Sequence, residues 1–223
     1  MSVALIVGAS VIVVALFIVS QIQASQRRAQ NRQAALARGW RVESVNNYSG
    51  STDGFEWRFL TDEGSRHEGS QARWQSNQPI LQNEVLAVFA SGGRKDITVP
   101  TNAPKFAVAL AARAMGFAMG TDGVDATLMA DAKPVIPPGP GLEAYLFRAT
   151  RPELMLRVLE YGGADALRRA ARGPKKDFLI FSAGHQGTRI LLHGYRYAPD
   201  RISEIVKLGT TLGAAIVKAQ RPA

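Results

Sequence analysis

Cysteine is absent from the 223 residues, which excludes disulfide staples, thiolate metal sites and a cysteine nucleophile. Histidine is scarce: His67, His185 and His193 are the three. They show no metal-ligand spacing and have no acidic cluster beside them, so each reads as a solvated or hydrogen-bonded structural residue. Carboxylates are outnumbered, 18 against 27 Lys and Arg, for a formal charge of +9. The loose acidic groups (Asp62-Glu63 with Glu68; Asp122, Asp125 and Asp131) fall in expected loops and lack the ligand positions of an EF-hand. No serine is framed as Gly-x-Ser-x-Gly, and Ser182 to Gly187 lacks the Gly-Lys-Ser/Thr ending of a phosphate-binding loop. No catalytic residue, cofactor or metal site is assigned, and the chain reads as non-enzymatic.

Charge is also missing from the N-terminus, where Val3 to Val19 carries no ionisable side chain. Counted to Ile22, the run has the roughly 20 residues and about 30 Å that a helix needs to cross a bilayer. A cleaved signal peptide would have a basic start, a shorter apolar run and a small-residue exit. Residues 1–22 are therefore expected to form one transmembrane helix, with Leu5, Ile6, Val13, Leu16 and Phe17 toward lipid or partner helices. Arg27, Arg28, Arg32, Arg38 and Arg41 follow the run and no basic side chain precedes it. The positive-inside bias then puts the N-terminus outside and the rest in the cytoplasm, as a single-pass protein of the bacterial inner membrane. Residues 23–38, rich in Gln, Ala and Arg, continue the helix as a basic stalk that Gly39 ends.

From Trp40 the period changes to two. Arg41 to Val45 and Phe55 to Phe59 read as strands, with Ser49 to Gly54 as a turn-rich loop between them. Gln71 to Gln75 and Glu84 to Ala90 are further strands, and Ala103 to Met119 an Ala-rich helix. Pro134, Pro137, Pro138, Gly139, Pro140 and Gly141 break regular structure and suggest a linker between two halves, 39–133 and 142–223. Beyond it come a strand (Ala144 to Ala149), a helix from Pro152 through Leu159, and a basic helix from Ala164 to Arg172. A hairpin about Gly184 to Gly187 and a last helix from Pro199 to about Gln220 complete the order. Ile202, Ile205, Leu212 and Ile216 share one face of that helix. Gly209 and Gly213 within it form a GxxxG that reads as a close approach to the sheet, or else as a face for helix–helix association with a partner. Residues 39–223 are expected to be an α+β domain, a mainly antiparallel sheet covered by helices on one side.

Gly39-Trp40 after the stalk, Asp53-Gly54 before Trp57, and Tyr145-Leu146-Phe147-Arg148 leading into a helix through Leu159 resemble bacterial single-pass membrane proteins with a cytoplasmic α+β domain. That resemblance covers most of the soluble part. It implies the architecture and brings no activity with it.

The strongest local feature is basic. Arg168, Arg169, Arg172, Lys175 and Lys176 put five positive charges in nine residues, and residues 142–223 hold 14 bases against 7 acids. Such a face suits an acidic protein surface or anionic lipid headgroups; without an aromatic platform or a recognised module, nucleic acid is disfavoured. The expected function is an accessory or scaffolding subunit of a larger membrane protein complex, docking through its cytoplasmic domain. Partner contacts are expected at Arg27, Arg28, Arg32 and the five C-terminal basic residues. The alternative is a membrane-surface module that binds anionic lipid through the same basic face.

Overall fold

The computed structural model describes residues 3–62, 71–90, 123–171, 179–193 and 197–221, and their side chains except at 3–16, 62, 123–126, 179 and 193. The expected helix from Ala103 to Met119 lies outside the described residues.

Helix α1 (Val3–Ala37) is unbroken for 35 residues. It ends as expected at Gly39, whose φ of 73° is the left-handed conformation that a helix C-terminus asks of glycine. The Gly39 amide donates to Leu36 O at 2.9 Å and the Trp40 amide to Ala35 O at 3.1 Å, closing a Schellman motif. Among the described residues no helix is long and apolar enough to cross a membrane; the side chains of residues 1–16 of the expected span lie outside the description.

Nine strands among the described residues form one sheet: β1 (Arg41–Ser44), β2 (Asn47–Thr52), β3 (Phe55–Asp62), β4 (Gln71–Ser76), β5 (Leu86–Ala90), β6 (Lys133–Val135), β7 (Tyr145–Ala149), β8 (Leu179–Gly184) and β9 (Gly187–His193). Their order is β1-β2-β3-β4-β9-β8-β5-β7-β6, and every pair is antiparallel. Strands from both sides of the Pro/Gly-rich stretch share the sheet, with β5 inserted between β8 and β7. The helices are α2 (Gly123–Ala130), α3 (Pro152–Val158), α4 (Ala164–Ala171) and α5 (Pro199–Gln220); between α3 and α4 the chain kinks through Leu159–Gly163, with Gly162 at a φ of 103°.

Two expected loops are regular structure. Asn47–Thr52 is a strand because Asp53 and Gly54, both at positive φ, make the tight two-residue turn that returns the chain onto β3. Gly50 within it is a spatial requirement: a methyl there would lie 2.8 Å from Trp57. Lys133–Val135 pairs with β7 despite Pro134, because β6 is the sheet edge, where proline's missing N–H costs no ladder bond. The acidic residue Asp125, expected in a loop, lies on α2.

The two sheet faces carry different cores. On one, Trp57, Phe59, Trp74, Val88, Phe147, Phe181 and Ile190 pack beneath α3, α4 and α5. Ile202, Ile205, Leu212 and Ile216 of α5 are buried there as expected. The Gly209 backbone rests on the Trp74 indole, so close that an added methyl would come within 2.5 Å of Cη2. One-sided helical cover is only part of the arrangement. On the opposite face Val85, Ala87 and Ile180 form a smaller core with Met129 of α2 and Ala132.

Candidate docking surfaces

The stalk meets the domain at a small, well-defined joint. Ala35 is fully buried, and α1 packs on β1 and α5. Trp40 stacks edge-on against Trp57 at 5.3 Å between centroids and tilts against Tyr48 at 6.0 Å. The Arg38 guanidinium sits 5.8 Å over the Trp40 ring, donates to Ala34 O at 2.7 Å and pairs with Asp200 in the first turn of α5. A negative charge at that helix N-terminus is favourable in itself, and Arg38 uses it as a latch. The sequence pointed to Arg38 only as a topology signal; its partner, 162 positions away, leaves no local trace.

Away from this joint most described side chains of α1 are exposed. Arg27, Arg28 and Arg32, the expected stalk contacts, are all exposed. At the end of the apolar run Phe17 is 63% exposed and Ile18, Val19 and Ile22 about half. Leu5, Ile6, Val13 and Leu16 lie on the same helix, with side chains outside the description.

The C-terminal basic cluster divides. Arg172, Lys175 and Lys176 lie outside the described residues. Arg169 is exposed on α4. Arg168 is engaged by its own domain: Nε donates to Pro140 O at 3.0 Å and Nη1 to Asp165 Oδ1 at 2.9 Å. It thereby fastens the Pro/Gly-rich stretch. Glu143 completes the fastening by accepting from the Gly141 amide at 2.9 Å. That bond first, then its own amide and the nearby Arg168 charge, hold the Glu143 carboxyl below the usual carboxylate range. Just before these clasps in the chain, Ile136 is 90% exposed, an apolar tip that no periodicity marked. A shallow open depression of about 620 Å³ lies alongside, lined by Pro140, Gly141, Arg168 and Ala171.

The histidines are scattered over the fold. His185 is exposed in the β8–β9 turn, as the hairpin reading required; His193 ends β9 and His67 lies outside the described residues. Among the described residues no group of three or more His, Asp or Glu could hold a metal ion. The buried phenol of Tyr145 donates to Leu167 O at 3.0 Å, and burial pushes its pKa up. That bond ties β7 to α4 inside the core, a structural use.

No family model and no curated protein matches the sequence. The crystal structure of the mycobacterial trehalose monomycolate transport factor A, TtfA, is similar at a TM-score of 0.48 and 9% identity, over 88% of this chain and 97% of that one. A likeness that distant says nothing of what this chain does.

Proposed function

We propose that the chain is a non-catalytic single-pass membrane protein, an accessory or scaffolding subunit that docks on other subunits of a membrane complex through a cytoplasmic domain. The observation that carries the reading is the exposed apolar end of α1. Phe17, Ile18, Val19 and Ile22 leave four large apolar side chains uncovered within six residues, and the charge-free sequence of the same helix continues from there to Val3. A helix free in water does not keep such a surface; a helix in hydrocarbon does. At 1.5 Å per residue α1 is about 52 Å long, of which about 30 Å suffices for the hydrocarbon core. The remaining ~22 Å carries Arg27, Arg28 and Arg32 at headgroup level and ends in the Trp40 joint, which holds the domain near the cytoplasmic surface.

The lipid-binding alternative draws on the same charges and is weakened by Arg168, whose guanidinium is committed to Pro140 and Asp165. The test is fractionation of native membranes followed by affinity purification of the C-terminally tagged full chain in mild detergent. The expected outcome is a chain that resists alkaline extraction and carries stoichiometric partner subunits. Release by alkali overturns the anchor. A particle containing only this chain overturns the accessory role.

A further inference from the structure

Helix α1 has two unlike sides. Toward the domain lie Ala24, Asn31 and Ala34, partly covered, and Ala35, fully buried. On the side turned away are Val19, Ile22, Gln26, Ala29, Gln33 and Leu36, all exposed. Their separations are three, four, three, four and three residues, the spacing of the a and d positions of a two-stranded coil. Taken backward along the helix, the same register falls on Ala15, Ile12, Gly8 and Leu5 in the sequence. An apolar span meets any register, so the informative stretch is the stalk. There Arg27, Arg28, Arg32 and Arg38 all fall off the seam, and Ile22, Gln26, Ala29, Gln33 and Leu36 keep it free of charge.

We infer that α1 pairs in parallel with α1 of a second copy along this seam, an inference that rests on the reading of α1 as a membrane anchor. Three features fit a second copy as the occupant. The charges are compatible: Arg32, at a g position, faces Ala37 at the following e position of the other helix, so no two arginines oppose each other across the pair. The geometry is open, because each domain hangs on the outer side of its own helix and leaves the seam clear. The area is adequate: a stripe ~10 Å wide along ~52 Å of helix covers about 500 Å² per copy, or about 1,000 Å² in all, the lower bound of a specific interface. Gln26 and Gln33 in the a row lower the strength of the stalk coil and favour one alignment, since a polar pair at an a position is satisfied only in register. Ala29, with Ala15 and Gly8 in the same row, lets the backbones approach closely.

The absence of native cysteine makes the test direct. Single cysteines are placed in the full chain at Gln26, Ala29 and Gln33 on the seam, and at Arg28 and Asn31 off it, then oxidised mildly in native membranes. Gln26→Cys, Ala29→Cys and Gln33→Cys are expected to shift most of the chain to a band of twice its mass, while Arg28→Cys and Asn31→Cys stay monomeric. Equal cross-linking at all five positions, none on the seam, or seam cross-links to a protein of another mass each overturn the pairing. Alkaline washing of the same membranes separates the two readings. A chain that stays in the membrane without seam cross-links refutes the dimer alone; a chain that washes out refutes the anchor.

Discussion

Gly209→Ala is the sharpest probe of how the domain is held together. Away from tertiary contacts, replacing a glycine in a helix interior by alanine stabilises by about 1 kcal/mol. Here the new methyl would stand 2.5 Å from Trp74 Cη2 and 2.6 Å from Cε3, about 1 Å inside the ~3.5–4.0 Å of ordinary carbon contact. Trp74 is fully buried between the sheet and α5, so relief must come from lifting the helix. Overpacking of this kind costs roughly 1–3 kcal/mol and occasionally more. Taking the upper end and subtracting the propensity gain leaves a net loss of about 2 kcal/mol, or about 4–8 °C of melting temperature for a chain of this size. Gly213→Ala is the built-in control. Its methyl would lie 3.0 Å from Cε1 of Phe55 and 3.4 Å from Cδ of Pro79, a milder crowding that a small shift of the phenyl ring relieves, and the variant should melt within about 2 °C of the parent. The assay is thermal unfolding followed by near-ultraviolet circular dichroism, which reports the packed indoles. Trp74→Phe combined with Gly209→Ala should show a coupling of about 1 kcal/mol in the rescuing direction. A Gly209→Ala protein that melts at or above the parent temperature would refute the seating of α5 on Trp74.

Three further outcomes are expected. Trp40→Ala should cost about 3 kcal/mol and speed proteolytic cleavage near Gly39, whereas Arg38→Ala should cost no more than about 1 kcal/mol; equal effects would contradict the joint described. Tyr145→Phe leaves the Leu167 carbonyl without its donor and should cost about 1–2 kcal/mol by urea denaturation. In the parent the raised phenol pKa means stability falls as pH rises beyond the ordinary tyrosine range, a fall that Tyr145→Phe should reduce. The Glu143 carboxyl is held low, so its tie to Gly141 is intact above the ordinary glutamate pKa and is lost as pH falls through the depressed value. Carbon-detected NMR titration of Glu143 should show a midpoint below that of a model glutamate, moving part of the way back toward it in Arg168→Gln, which removes the nearby positive charge.

Much of the architecture could be read from local pattern, and the exceptions share a cause. The alternation through Phe55-Glu56-Trp57-Arg58-Phe59 specifies a strand because each inward residue is large. Ser49 to Thr52 reads as part of a loop because its residues are small, and Gly50 at least is small on account of Trp57, which lies on the neighbouring strand. Pro134 reads as a breaker until the sheet order shows that it stands at an edge. The insertion of β5 between β8 and β7 has no local signal at all. The same division holds at the surface. Arg27, Arg28 and Arg32 are exposed on the stalk as their sequence suggests. Arg168 looked like one of a row of equivalent charges, and its role depends on a backbone carbonyl 28 residues away. Ile136 had no periodic neighbour to flag it.

The strand order also dictates a schedule for biosynthesis. β4 completes its pairing only with β9, and β5 finds one of its neighbours only in β8. At typical elongation rates of about 5–20 residues per second, β9 follows β4 by roughly 6–24 s. Throughout that interval the nascent chain presents two open strand edges, one on the β1–β4 meander and one on β5, both beside uncovered apolar faces. A ribosome stalled before the last forty residues would release a protein with neither the closing hairpin nor α5. Folding of the domain is therefore completed only when β9 and α5 have been made, and a truncation that removes them acts on the step that joins the two parts of the sheet.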